Sequence, residues 1–197
     1  MKTLNQYIQE KLIINKDYRD NTIVVKSFKE LRKIIEQRYE EKGPGTEQDP
    51  VDLNDIDVSG IKTLGIYTGS PNAIGLFEKI EFEYIDISDW NVSNVTDISG
   101  MFYGCKKLKS IGDLSKWDVS KVENMERTFY CCYELESVGN LSKWDVSKVE
   151  SMISMFANCK TITSVGDLSN WDVSNVKYAS YMFHNSGIKN TPSWYKG

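Results

Sequence analysis

The sequence predicts an α+β solenoid: about five coils of 27 residues with short parallel strands, capped by an N-terminal strand–helix segment. Three observations carry that expectation. Trp90, Trp117, Trp144 and Trp171 follow one another at intervals of 27 in the 197-residue chain. The segments they open read WNVSNV, WDVSKV, WDVSKV and WDVSNV. The remaining shared columns are mostly apolar (Leu/Ile, Val, Met, Phe, Cys), so one unit cannot bury its apolar side alone and units must pack on one another.

In chain order, residues 1–50 carry no repeat and are expected to form a cap. Leu4, Tyr7, Ile8 and Leu12 share one face of a short helix. Ile23, Val24 and Val25 are β-branched and strand-like. Ser27 with Glu30 makes a capping box for a helix lined by Phe28, Leu31, Ile34, Ile35 and Tyr39, which Gly43 ends. Residues 43–50, GPGTEQDP, are a loop.

Residues 51–197 hold the repeats. A degenerate unit starts at Asp52, with Ile56 in the tryptophan place, and regular units follow from Asp86. Strands are expected at Leu108–Ile111, Leu135–Val138 and Ile162–Val165, with a second short strand near Lys121–Met125. The segments Ser99–Phe102, Glu126–Phe129 and Ser154–Phe156 suit a single helical or 3₁₀ turn. The ends of such a stack need covering. The helix from Phe28 is expected to close the first end. Pro192, which lacks an N–H, and Trp194–Tyr195 are expected to close the last.

The segments LKSIGDLSKWDVSKVENM with FYCC, and ITSVGDLSNWDVSNV with Met155–Phe156 upstream, resemble the BspA-like leucine-rich-repeat family, including the related repeats of mycoplasma lipoproteins. The resemblance covers about 140 residues of the chain. It implies a leucine-rich-repeat-like solenoid, a role in protein binding or adhesion, and no catalytic residues. The leader MKTLNQYIQEKLIINKDY resembles short leaders of Bacteroides phage and mobile-element proteins.

Composition narrows the function classes. Twenty-four Lys and Arg against 28 Asp and Glu leave a formal charge of −4, which disfavours a nucleic-acid footprint. No run approaches the ~18 apolar residues of a membrane helix, so no membrane insertion is expected. Met1–Leu12 has Gln, Glu and Lys where a signal peptide would be apolar, which points to the cytoplasm of a host or phage-infected cell, or to a virion.

The tempting chemistry reads as packing. Cys105, Cys132 and Cys159 occupy one column, with Cys131 beside it, and no CxxC or histidine partner accompanies them. They are expected to be reduced, buried thiols. Asn91, Asp118, Asp145 and Asp172 each precede a serine by two residues, which fits turn capping, and the glycine-rich calcium repeat is missing. His184 is the only histidine, so no catalytic constellation, metal site or cofactor site is expected, and the chain is read as non-enzymatic.

Recognition is left to the variable columns: Lys106, Lys107 and Lys109; Tyr133, Glu134 and Glu136; Lys160 and Thr163. One repeat is basic, the next acidic and the third near neutral, which suits a protein partner. Lys109 with Glu136 is a candidate pair across neighbouring repeats. The function expected is a protein-binding module, with a structural component of a phage particle or surface assembly as the alternative.

Overall fold

The computed structural model describes residues 22–66 and 74–197. The short helix expected at Leu4–Leu12 lies outside the described residues. Strand β1 (Ile23–Val24) runs parallel to β3 (Ile56–Asp57), pairing Ile23 with Ile56. β2 (Val51–Asp52) runs parallel to β6 (Ile85–Asp86), and β4 (Gly65–Ile66) pairs antiparallel with β5 (Ile74–Gly75).

Between β1 and β2 lies the helix α1, Phe28–Lys42. Ser27 is extended, and its Oγ accepts the Glu30 N–H at 3.2 Å, satisfying one of the open donors of the first turn. The Glu30 carboxylate reaches back to the Lys26 N–H at 2.8 Å, one residue earlier than a capping box requires. Gly43 stops the helix at φ +74° while its N–H donates to the Tyr39 carbonyl at 2.8 Å. Leu31, Ile34 and Ile35 turn into the core. Arg32 donates to the carbonyls of Gly75, Leu76 and Glu78, and Arg38 binds Asp55.

The expected leucine-rich-repeat-like solenoid with short parallel strands is corrected by this structure. Regular structure among the described residues is one helix, six two-residue strands in three pairs, and two 3₁₀ turns. None of the strands expected at Leu108–Ile111, Leu135–Val138 or Ile162–Val165 forms. Ser110 and Ser137 make single parallel bridges, and Lys121–Met125 contributes only Asn124.

The reason is local. The N–H groups of Lys109 and Ser110 both converge on the Glu83 carbonyl, and those of Glu123 and Asn124 on the Thr96 carbonyl, so no ladder propagates. Gly112, Gly139 and Gly166, at φ +81°, +81° and +87°, then bend the chain away. The helical turn expected at the Met-Phe segments is also displaced. Gly100, Arg127, Ser154 and Tyr181 stand there at positive φ, which no right-handed helix accepts. The 3₁₀ turns sit instead at Leu114–Lys116 and Leu141–Lys143, just before the tryptophans.

What holds the repeats together is side-chain packing in register. Phe77, Phe102, Phe129, Phe156 and Phe183 stack nearly parallel, with centroids 4.9, 5.4, 5.2 and 6.0 Å apart. Such ring pairs add about 0.5–1.5 kcal/mol each beyond the area they bury. Trp117, Trp144, Val119 and Val146 are buried beside them, as their columns predict. Each indole N–H donates to a main-chain carbonyl of the preceding unit: Trp90 to Leu53, Trp117 to Ile87, Trp144 to Leu114 and Trp171 to Leu141, at 2.8–3.2 Å. The column thiols repeat the device. Cys105, Cys132 and Cys159 donate to the carbonyls of Phe77, Phe102 and Phe129.

Candidate functional site

The variable columns line one lateral strip. They follow directly on the cysteine column, whose burial forces the next side chains outward: Lys106, Lys107, Glu134, Glu136, Lys160 and Thr163 are exposed, and Lys109 and Tyr133 half-buried. The strip begins one unit earlier than the sequence suggests. Glu81 and Glu83 bind Lys107 and Lys109 at 2.9 and 2.8 Å, so the expected Lys109–Glu136 pair is replaced by Lys109–Glu83. Glu136 meets Lys109 through the backbone only, donating its N–H to the Lys109 carbonyl at 3.0 Å. A search limited to the repeat columns misses Glu81 and Glu83 because they precede the first regular unit's own cysteine.

The paired charges respond to each other. The hydrogen bond from Lys109 holds the Glu83 carboxyl below its ordinary range and raises the Lys109 ammonium. Lys107 is raised by its bond to Glu81. Both pairs face water, where such contacts contribute little to stability. Lys109 also lies over the Tyr84 ring, and Lys160 lies 5.3 Å from the centroid of Tyr133. Thr161 Oγ1 donates to the Tyr133 carbonyl at 2.9 Å. Glu134 and Glu136 have no ion-pair partner among the described residues.

Thr163 is the last variable position of the strip. It lines a cavity of about 390 Å³ with Asp167, Leu168, Ile188 and Pro192, where the last unit departs from the repeat. His184 is exposed and sits edge-on to Tyr181. The Asp/Asn column caps turns as expected, with Asn91, Asp118, Asp145 and Asp172 accepting the N–H of Ser93, Ser120, Ser147 and Ser174. All four cysteines are free thiols. Among the described residues no three His, Cys, Asp or Glu side chains converge as a metal-ligand set. No helix there is long and apolar enough to cross a membrane.

In-phase packing of one recurrent unit, with its variable positions on a solvent-facing strip, defines a repeat protein. Residues 72–194 match the family model described as "Mycoplasma protein of unknown function, DUF285", and the chain belongs to that family. No curated protein and no solved structure matches it.

Proposed function

We propose that the chain is a non-enzymatic, repeat-type protein-binding module, with repeats akin in sequence to those of BspA-like proteins. The observation that carries this reading is the strip itself. Glu134 and Glu136 are exposed and lack an ion partner among the described residues, between the paired lysines of one unit and Lys160 of the next. A partner surface with a basic patch complements it, because opposite charges steer encounter and set register. The lysines on either side repel an extended polycation, which favours a folded protein face over a basic tail. Residues 1–50 and 51–197 are proposed as cap and binding unit, and the four free thiols favour a reducing compartment.

The experiment is a capture from extract of the native cell by immobilised protein, with the variant Glu134→Lys/Glu136→Lys alongside. The expected result is a protein retained by the wild type and lost by the variant, with both melting at the same temperature. Retention of the same proteins by both would overturn the reading.

A further inference from the structure

Each repeat presents a row of N–H groups that the next repeat fills. Ile98, Gly100, Phe102 and Gly104 donate to the carbonyls of Asn124, Glu126, Thr128 and Tyr130. Met125, Arg127, Phe129 and Cys131 donate in the same way to Ser151, Ile153, Met155 and Ala157. Met152, Ser154, Phe156 and Asn158 then donate to Tyr178, Ser180, Met182 and His184. One step further on, the equivalent donors are Ala179, Tyr181, Phe183 and Asn185, and none has an acceptor among the described residues.

Trp194 and Tyr195 supply no acceptor to this row. Trp194 continues the indole bonds to the Leu168 carbonyl and stacks on Trp171, and Tyr195 lies edge-on to Phe183. That leaves Val173 and Val176 half-buried, although their counterparts Val119, Val122, Val146 and Val149 are fully enclosed. A cavity of about 340 Å³ opens between these valines and Trp194–Tyr195. Tyr178 and Tyr181, next in sequence to the lining residues Lys177 and Ser180, are 58% and 62% exposed.

We propose that this edge binds a peptide segment of a protein partner folded into the same succession of turns as residues 151–157, which supplies carbonyls at alternate residues to Ala179, Tyr181, Phe183 and Asn185 and an apolar side chain to the cavity. The occupant follows from the three filled rows, in which a segment with that carbonyl spacing takes that place each time. Backbone bonds of this kind supply affinity, and the side-chain cavity supplies selectivity. A second copy fits poorly. Pairing two such edges sets donors against donors, and the Asp97 and Met101 carbonyls of the corresponding earlier row already accept from Leu64 and Phe77. The proposal rests on the protein-binding reading for the kind of occupant, but it places that occupant away from Glu134 and Glu136.

The test is amide hydrogen exchange on the full chain, using as probe a synthetic peptide of this protein's residues 149–158, VESMISMFAN, whose carbonyls fill the row in the preceding repeat. With peptide at about ten times its Kd, exchange at Ala179, Tyr181, Phe183 and Asn185 should slow about tenfold. Ala179→Pro removes one donor and should weaken binding, while Glu134→Lys/Glu136→Lys should bind the peptide as the wild type does. If Ala179→Pro does not fold, the wild-type exchange data decide alone. Unchanged exchange at the four amides, undiminished binding by a folded Ala179→Pro, or a peptide-free dimer that protects the same amides would each overturn the proposal. Loss of the extract partner in the Glu134/Glu136 variant would be unaffected by any of these results.

Discussion

The Cys159 thiol donates to the Phe129 carbonyl at 2.9 Å, thirty residues earlier, while the Phe129 ring stacks on Phe156. A single unit is thereby fastened to its predecessor by a ring and a thiol at neighbouring positions. Burial pushes the Cys105 and Cys159 thiols up to about 12, and Cys132 is also raised well above its ordinary value by burial. Cys131 is half-buried on the outer side of the same turn. In native buffer a thiol reagent should therefore modify one cysteine promptly, and peptide mapping should place the label on Cys131. Prompt labelling of Cys132 or Cys159 would contradict the packing.

Phe156→Ala should destabilise the fold by about 3–5 kcal/mol, the range for truncating an enclosed phenylalanine. Phe156 is fully buried between the rings of Phe129 and Phe183. A denaturant titration reads the effect, and a loss below about 1 kcal/mol would show that the ring column is not core.

Trp144→Phe keeps most of the apolar volume and removes only the bond to the Leu114 carbonyl. The loss expected is about 1–3 kcal/mol, that of one buried hydrogen bond together with a small void, since the Leu114 carbonyl keeps the Trp117 N–H at 3.0 Å. Trp194→Phe should cost less in the same titration, since that indole is only partly buried.

Gly139→Ala tests a column that apolar periodicity does not reveal. Gly139 stands at φ +81°, and a Cβ there would lie 1.8 Å from Asp113 Oδ1. That carboxylate is committed to the Ser115 N–H at 2.9 Å and cannot simply withdraw. A loss of more than about 1 kcal/mol is expected, from strain and clash together. The double variant Gly139→Ala/Asp113→Ala should recover part of the clash component relative to the sum of the single changes. Strict additivity in the thermodynamic cycle would refute the contact.

The carboxylates divide by pH response. Hydrogen bonds from Ser120, Ser147 and Ser174 lower the pKa of Asp118, Asp145 and Asp172. Their folded values lie below the unfolded one. Their contribution is therefore present above the ordinary carboxylate range and is lost as pH falls through the lowered values. Asp97 is shifted the other way, raised by burial against the bond from Ser99. Its charge costs stability at neutral pH, and that cost disappears as pH falls through the raised value. Asp97→Asn, which keeps the acceptor for Ser99, should raise the melting temperature at pH 7, with the gain shrinking in acid. The next repeat carries Asn124 at this place, with its Oδ1 accepting the Glu126 N–H. A gain that persists unchanged through the acid range would remove the assignment.

The 27-residue period located the buried columns because Trp, Val, Phe and Cys recur only where the same burial recurs. Ser27 and Gly43 located the ends of α1 because capping is local chemistry. The path between columns was not legible. β-branched and leucine-rich stretches such as Leu108–Ile111 read as strands, but strand propensity depends on what the neighbouring segment offers. Here two successive N–H groups share one acceptor. The positive-φ positions were hidden because Gly100, Arg127, Ser154 and Tyr181 share a conformation without sharing a residue type. Within the lateral strip, exposure followed from the repeat, while the pairing of Lys109 with Glu83 depended on the irregular stretch before the first full unit.

The bonds of Trp117, Trp144 and Trp171 each span thirty residues, and the phenylalanine contacts span 27 or close to it. Sequence separation between partners is therefore set by the unit and not by the chain. Closing a loop of about 30 residues carries nearly the same entropy whether the neighbouring units number two or ten. A duplicated unit inserted between Asp113 and Asn140 would add a full set of contacts without lengthening any loop that must close. The time needed to fold would then be governed by the unit, leaving the length of such a protein free to change by whole repeats while its folding speed is conserved.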